Sequence, residues 1–245
     1  MSGAGSGIGA GIVRRFLDAG ARVHGVGRRL DAVRSTAPDA VTGGTYVPHS
    51  LDVTDPVATQ ALTGELARED PIDILVCAAG TNVTRRRFHQ LTEESFDELV
   101  RTNLTGIFRL IHGTLDQIRE REGDIVLISS ISAAWPSHSG AAYSATKAAL
   151  LGLARGLSRD EHANGVRVCT ILPGMVDTPM LDRRPVPPPV EMRKLCLQPE
   201  DVADAALCAV SLPGRATIAE ISILATRLQS LGYTQQATPD IPDGL

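Results

Sequence analysis

Residues 2–9, SGAGSGIG, run directly into a segment of helical apolar spacing, 8–19, that stops at Gly20. Glycine lets the backbone approach a bound group closely. A helix start aims N–H groups and the positive end of its dipole at the same point. A loop built from Gly3, Ser6, Gly7, Ile8 and Gly9 therefore suits a dinucleotide pyrophosphate, although its spacing is G-x3-G-x-G rather than G-x-G-x-x-G. It commits the chain to an α/β fold, a doubly wound, Rossmann-like parallel sheet with helices on both faces. In such a sheet the loop follows a buried central strand, but only Met1 precedes it here. The first strand is thus expected to be missing from this chain, leaving its neighbours with unpaired backbone groups and an apolar gap. The natural protein is expected to start several residues upstream.

Downstream the pattern alternates as that fold requires. Strands are expected at 21–27, 45–49, 72–78, 123–129, 166–172 and 217–224, and helices at 56–68, 92–105, 141–162 and 199–212. Residues 1–225 read as one domain. Prolines 187–189 exclude a helix interior, so about 180–198 is expected to form a flap over a site. Residues 226–245 read as a loose polar tail, or as an arm reaching a neighbouring subunit.

Several positions along this frame fit a dinucleotide. Gly27 ends the 21–27 strand where an acidic residue would hold a ribose 2′-hydroxyl, and Arg28 follows it. A cation without a carboxylate favours NADP, with NAD still possible; alternatively Arg28 and Arg29 simply start a surface helix. Asp52, followed by Val53, suits an adenine amino group, while Asp52 or Thr54 equally suits a helix cap. Ala79 and Gly80 are small enough to admit a cofactor ring, and Pro173, Gly174, Val176 and Thr178 form a rigid turn after the 166–172 strand.

The segment 128–148, ISSISAAWPSHSGAAYSATKA, carries the chemistry. Tyr143 and Lys147 are four apart in an Ala-rich helix and share one face. A phenol titrates near pH ~10, and a nearby ammonium is expected to lower that value. Ser130 would hydrogen-bond the substrate oxygen that exchanges a proton with Tyr143. Of the 24 basic residues only Lys147 and Lys194 are lysines, so a lysine in this motif is a deliberate departure from an Arg-rich surface. Asn103, inside the 92–105 helix, is expected to kink it and free a main-chain carbonyl for a water. Trp135 and His138 are expected to line a substrate pocket, and Arg183, Arg184, Arg193 and Lys194 around the flap lend weak support to an anionic substrate.

A net charge of −4 argues against nucleic acid as the main partner, and no apolar run is long enough to span a membrane. Cys77, Cys169, Cys196 and Cys208 show no metal-ligand spacing and read as reduced thiols of a cytoplasmic protein, with no metal expected.

Together, the 2–9 loop, Asn103, Ser130, Tyr143, Lys147 and the 173–178 turn resemble the short-chain dehydrogenase/reductase family, in order and spacing over nearly the whole chain. The resemblance implies hydride transfer between a nicotinamide cofactor and a small carbonyl or secondary-alcohol substrate. It implies that Tyr143 is the general acid/base, that Ser130 orients the substrate oxygen and that Asn103 holds a relay water. By the same resemblance Lys147 binds the nicotinamide ribose and lowers the Tyr143 pKa, and the chain forms a homodimer or homotetramer. Where the family has Asn-Asn-Ala-Gly this chain has Cys77-Ala78-Ala79-Gly80, which removes amide hydrogen bonds that brace the sheet. A non-catalytic dinucleotide-binding regulatory protein is the alternative reading.

Overall fold

The computed structural model describes residues 1–135 and 137–231. In chain order these form α1 (Gly7–Asp18), β1 (Val23–Gly27), α2 (Leu30–Arg34), α3 (Pro38–Thr42), β2 (Tyr46–Ser50), α4 (Pro56–Glu69) and β3 (Ile74–Cys77). They continue with α5 (Glu93–Val100), α6 (Gly106–Glu120), β4 (Asp124–Ile128), α7 (Ala141–Glu161), β5 (Arg167–Pro173), α8 (Val190–Arg193), α9 (Pro199–Val210) and β6 (Glu220–Ile223). Strand pairing is parallel throughout, β1 with β2 and β3–β4–β5–β6 in that order. This is the α/β arrangement expected from the sequence.

The two sets of strands meet at one residue. Ser2 bridges Val26 of β1 and Cys77 of β3, both in parallel. Its N–H donates to the Val76 carbonyl at 2.9 Å, while Val26 N–H donates to the Met1 carbonyl at 2.8 Å. Met1 and Ser2 thus stand where a central strand would run, without extending into one. A cleft of about 210 Å³ adjoins Met1, lined by Ile12, Val13 and Phe16 of α1, Val23 of β1 and Ile74 and Val76 of β3. Arg22, His24, Asp70 and Asp73 also line it, so it is a mixed cleft rather than a purely apolar gap. It lies apart from every residue expected to do chemistry.

Apolar layers cover both faces. Ile12, Val13 and Phe16 of α1 pack with Val202, Ala203 and Ala206 of α9 against one face. Ile107, Leu110 and Ile118 of α6 and Leu150 and Ala154 of α7 pack against the other. Burying both faces explains why β3, β4 and β5 are near-continuous apolar runs rather than alternating ones.

Several local expectations are corrected. The cap of α4 is neither Asp52 nor Thr54 but Asp55, whose carboxylate accepts from Val57 N and Ala58 N. Asp52 instead accepts from the backbone N–H and hydroxyl of Thr54, closing a tight turn. The helix expected to end at Thr105 passes through a π-helical turn, Arg101–Thr105, and continues as α6. The flap is packed down: Leu181, Met192, Cys196 and Leu197 join the apolar core, and Val176 bridges Leu197. Within the expected loose tail, Leu228 is buried and the Gln229 side chain accepts from Met175 N at 2.7 Å, while residues 232–245 lie outside the described residues. Among the described residues no helix is long and apolar enough to cross a membrane, and no cluster of metal-ligating side chains occurs.

Candidate active site

The break in strand order, with β1 on one side of Ser2 and β3 on the other, is where open α/β sheets bind ligands, at the carboxyl ends of the strands. The glycine loop sits there. Gly3 has a φ of +71°, and a Cβ on it would meet the Ala78 carbonyl at 2.8 Å. A Cβ on Gly9 would lie 2.0 Å from the Gly3 carbonyl oxygen. The loop is therefore folded too tightly for side chains, which is what leaves its backbone free to line a concavity. Gly7 faces Thr178, whose methyl carbon would lie 3.0 Å from an added Cβ. At the start of α1 Ser6 makes no side-chain cap, and no acidic residue occupies the first turn. With no side-chain cap and no acidic residue in its first turn, that helix end leaves the cradle fitted to an anionic group such as a pyrophosphate.

The flanking positions group with it. Arg28 is exposed just beyond β1; burial raises the Asp52 carboxyl, but the two hydrogen bonds from Thr54, with a smaller contribution from the Arg28 charge, hold it below its usual range. Val53 is buried and packs on Gly106 of α6, so its contribution is to seat the loop. Ala79 N–H donates to the Ser2 hydroxyl at 3.2 Å, a link between the glycine loop and the end of β3. Ser2 thereby supplies one brace in the region where Cys77-Ala78-Ala79-Gly80 lacks side-chain amides. Gly80 abuts both Lys147 and Asn103, at 3.4 and 3.5 Å from an added Cβ.

Tyr143, Lys147, Ser130 and Asn103 converge at this end of β4. Ser130 leaves β4 as the cap of a 3-10 turn, its hydroxyl accepting from Ser132 N at 3.1 Å. Its neighbour Ser129 donates to the Lys147 carbonyl at 2.8 Å and so fixes α7 against the strand. Asn103 is fully buried on the π turn. Its side chain accepts from Thr81 N at 2.8 Å and donates to the Thr81 carbonyl and the Thr146 hydroxyl. An asparagine in a helix is mildly unfavourable, and here it braces the loop after β3 against α7.

The electrostatics differ from expectation. Burial pushes the Tyr143 phenol up to about 12; the Ser130 hydrogen bond and the charges of Arg86 and Arg184 act against that rise. Lys147 is not the group that opposes it. Its ammonium, 4 % exposed, donates to the Ile128 carbonyl at 2.8 Å and is pushed down to about 8 by burial. The site as it stands holds a neutral phenol, ready to give a proton.

A cleft of about 90 Å³ opens on these groups, lined by Ser130 and Tyr143 with Ile8, Pro173, Gly174, Val176 and Thr178 from the cofactor side. Its other wall includes Arg184, one of the flap cations expected from the sequence, and Asn82, Arg86, Ser132 and Ser139, which sequence reasoning missed. Arg86 was hidden in the run 85–87, which reads as surface charge, yet it is only 6 % exposed. Trp135 and His138 do not line the cleft: Trp135 is 40 % exposed, and His138 stands beside Arg87 and Arg184, whose charges reinforce burial in lowering its pKa. Arg193 is taken up by Asp177 and Asp182.

Comparison with known proteins gives a consistent picture. Residues 1–186 match the family model described as short chain dehydrogenase. A serine 3-dehydrogenase from Rhizobium radiobacter is 37% identical over 179 residues, covering 73% of this chain and 71% of that protein. An L-fucose dehydrogenase from Mus musculus is 31% identical over 97% of this chain and 90% of its own length. Among solved structures, the closed form of a serine dehydrogenase complexed with NADP+ superposes with a TM-score of 0.85 at 28% identity, covering 96% of this chain and 98% of that one.

Proposed function

Because the chain belongs to the short-chain dehydrogenase family and is an oxidoreductase of that family, we propose that it interconverts a carbonyl and a secondary alcohol with NADP as the preferred cofactor. The observation that carries this is a single cleft holding the buried Tyr143 phenol and Ser130 hydroxyl on one side and Ile8, Val176 and Thr178 of the dinucleotide cradle on the other. Bound in that cradle, the nicotinamide would supply the hydride chemistry.

The chain's own residues supply binding and the proton. Gly3, Ser6, Gly7, Ile8 and Gly9 would hold the pyrophosphate, with Thr178 facing Gly7. Arg28, exposed beyond β1 with no acidic residue at Gly27, would take a 2′-phosphate, and Asp52 and Val53 would border the adenine. Ala79, Gly80, Pro173, Gly174 and Val176 would border the nicotinamide side, and Lys147 would turn from the Ile128 carbonyl to the ribose. Ser130 orients the substrate oxygen, and Tyr143 gives it a proton in reduction and takes it back in oxidation, while Asn103 keeps the loop after β3 in register. The bound NADP+ of the solved relative supports the cofactor reading. Exposed Phe96 of α5 and Phe108 of α6 support a homodimer or homotetramer through these helices, and four free cysteines suit the cytoplasm.

A panel of ketones, aldehydes and secondary alcohols, assayed with NADP(H) and NAD(H) in parallel, tests the reading. Turnover should appear with NADPH and fall by about 10²-fold or more in Tyr143→Phe. A variant as active as the parent would remove Tyr143 from the chemistry.

A further inference from the structure

Two arginines stand in the cleft beside Tyr143. Arg86 and Arg184 both line it, and among the described residues no aspartate or glutamate does. Asp182 and Asp177, close to Arg184 in sequence, are both engaged on Arg193. Arg86 is the more telling of the two. It is 6 % exposed, one terminal nitrogen donates to the Arg183 carbonyl at 2.8 Å, and its buried Nε has no hydrogen-bond partner. A buried guanidinium without a counter-charge is costly, and a buried donor left unpaired adds to that cost. With Arg86 in the lining of the cleft and no carboxylate beside it among the described residues, the place of its counter-charge is open to an anionic ligand.

The surroundings hold Arg86 in place. Its backbone packs against Gly140, which has a φ of +92° and precedes α7, so a Cβ there would strike the Arg86 carbonyl at 2.5 Å. Asn82 donates to the Ser139 carbonyl at 3.0 Å, tying the same loop to the start of α7. Both arginines line the same cleft as Tyr143, within reach of a small molecule whose oxygen meets the phenol.

We infer that the substrate carries a carboxylate held by Arg86 and Arg184, so that this protein acts on hydroxy acids and the corresponding oxo acids in preference to neutral alcohols and ketones. The planar fork of a guanidinium matches a carboxylate in two parallel hydrogen bonds, which a neutral amide or ester of the same shape does not reproduce. This assignment rests on the oxidoreductase reading of the same site.

Two measurements separate it from that reading. In the first, propionate and propionamide are titrated calorimetrically into the NADP-saturated protein. Propionate should bind and propionamide should not, and Arg86→Gln should weaken propionate at least 10-fold while Arg86→Lys restores part of the loss. In the second, 2- and 3-hydroxy acids are assayed against their amides and methyl esters with NADP+. The kcat/KM ratio of acid over amide should exceed 10²-fold and collapse toward unity in Arg86→Gln and Arg184→Gln, chiefly through KM. Equal binding of the two probes, equal turnover of acid and amide, or a variant that weakens NADP alone would overturn the inference, the last by assigning these arginines to the cofactor phosphates. Propionate binding without turnover of any alcohol would instead leave the carboxylate site standing and remove the oxidoreductase reading.

Discussion

The Lys147 ammonium lies 5.8 Å from the centroid of the Tyr143 ring, yet its hydrogen bond goes to the Ile128 carbonyl at 2.8 Å. The helical i, i+4 spacing brings the two side chains together as geometry requires, but the backbone end of β4 captures the cation first. Without a bound ligand, the pair is adjacent and not coupled through the phenol.

This arrangement has a measurable effect on stability. Burial lowers Lys147 from its usual 10.5 to about 8, so between those values the unfolded chain holds a proton that the folded one has released. Stability gained from this group therefore rises with pH across that window, by on the order of 3 kcal/mol, and is absent below pH 8. Denaturant unfolding of the parent and Lys147→Met at pH 7, 8.5 and 10 should show the difference moving in favour of the parent. A difference independent of pH would mean that the ammonium bears no burial cost.

With the phenol raised to about 12, Tyr143 stays protonated throughout the neutral range in the free protein. Reduction needs that proton and oxidation needs it gone. The kcat/KM for alcohol oxidation should therefore climb from pH 7 to 10 while that for carbonyl reduction does not. An oxidation profile already level by pH 8 would place the essential ionisation on another group.

Arg28 stands exposed past the end of β1 with Gly27 before it. Arg28→Glu should weaken NADP by roughly 10–100-fold, the range expected for losing charge-assisted hydrogen bonds, and should improve NAD. Equal loss of both cofactors, read by fluorescence titration of NADPH and NADH, would show that Arg28 serves the fold and not the 2′-phosphate.

Asn103 is 0 % exposed and serves both backbone groups of Thr81. Asn103→Ala should strip both of partners inside the protein, at a cost of about 3 kcal/mol in urea denaturation. A loss under 1 kcal/mol would show that the loop after β3 finds other partners.

Much of this site was legible because its residues sit where local sequence dictates geometry. The glycine loop, the Tyr143–Lys147 helix spacing and Ser130 at the end of an apolar run each announce themselves within a few positions. Arg86 did not, because burial of one arginine in the run 85–87 depends on Gly140 and the 179–184 segment, both far along the chain. The packed flap was equally hidden: Leu181, Met192 and Leu197 are spaced among prolines and charges with no period to betray a buried face. The π turn at Asn103 keeps the apolar rhythm of its neighbours, so the pattern alone placed a kink but neither its type nor the helix beyond it. The pKa of Tyr143 failed to follow the Lys147 spacing because burial dominates it and the Lys147 ammonium is held by the Ile128 carbonyl.

Ser2 gives the sheet its junction, and that has a consequence for the order of assembly. Its hydroxyl meets Ala79 N–H across 77 residues of chain, whereas β1 with β2 and β3 with β4 close over much shorter loops. Loop-closure entropy makes the longer of these closures the slower to be rewarded, so the two halves of the sheet should form separately before they dock. The dinucleotide cradle, which depends on that junction, is then completed after the strand pairs on either side of it. Amide exchange at Ala4 and Ala79 should outpace that in β4 and β5 and slow sharply when NADP is added, which makes the cofactor a final staple in folding as well as a reactant.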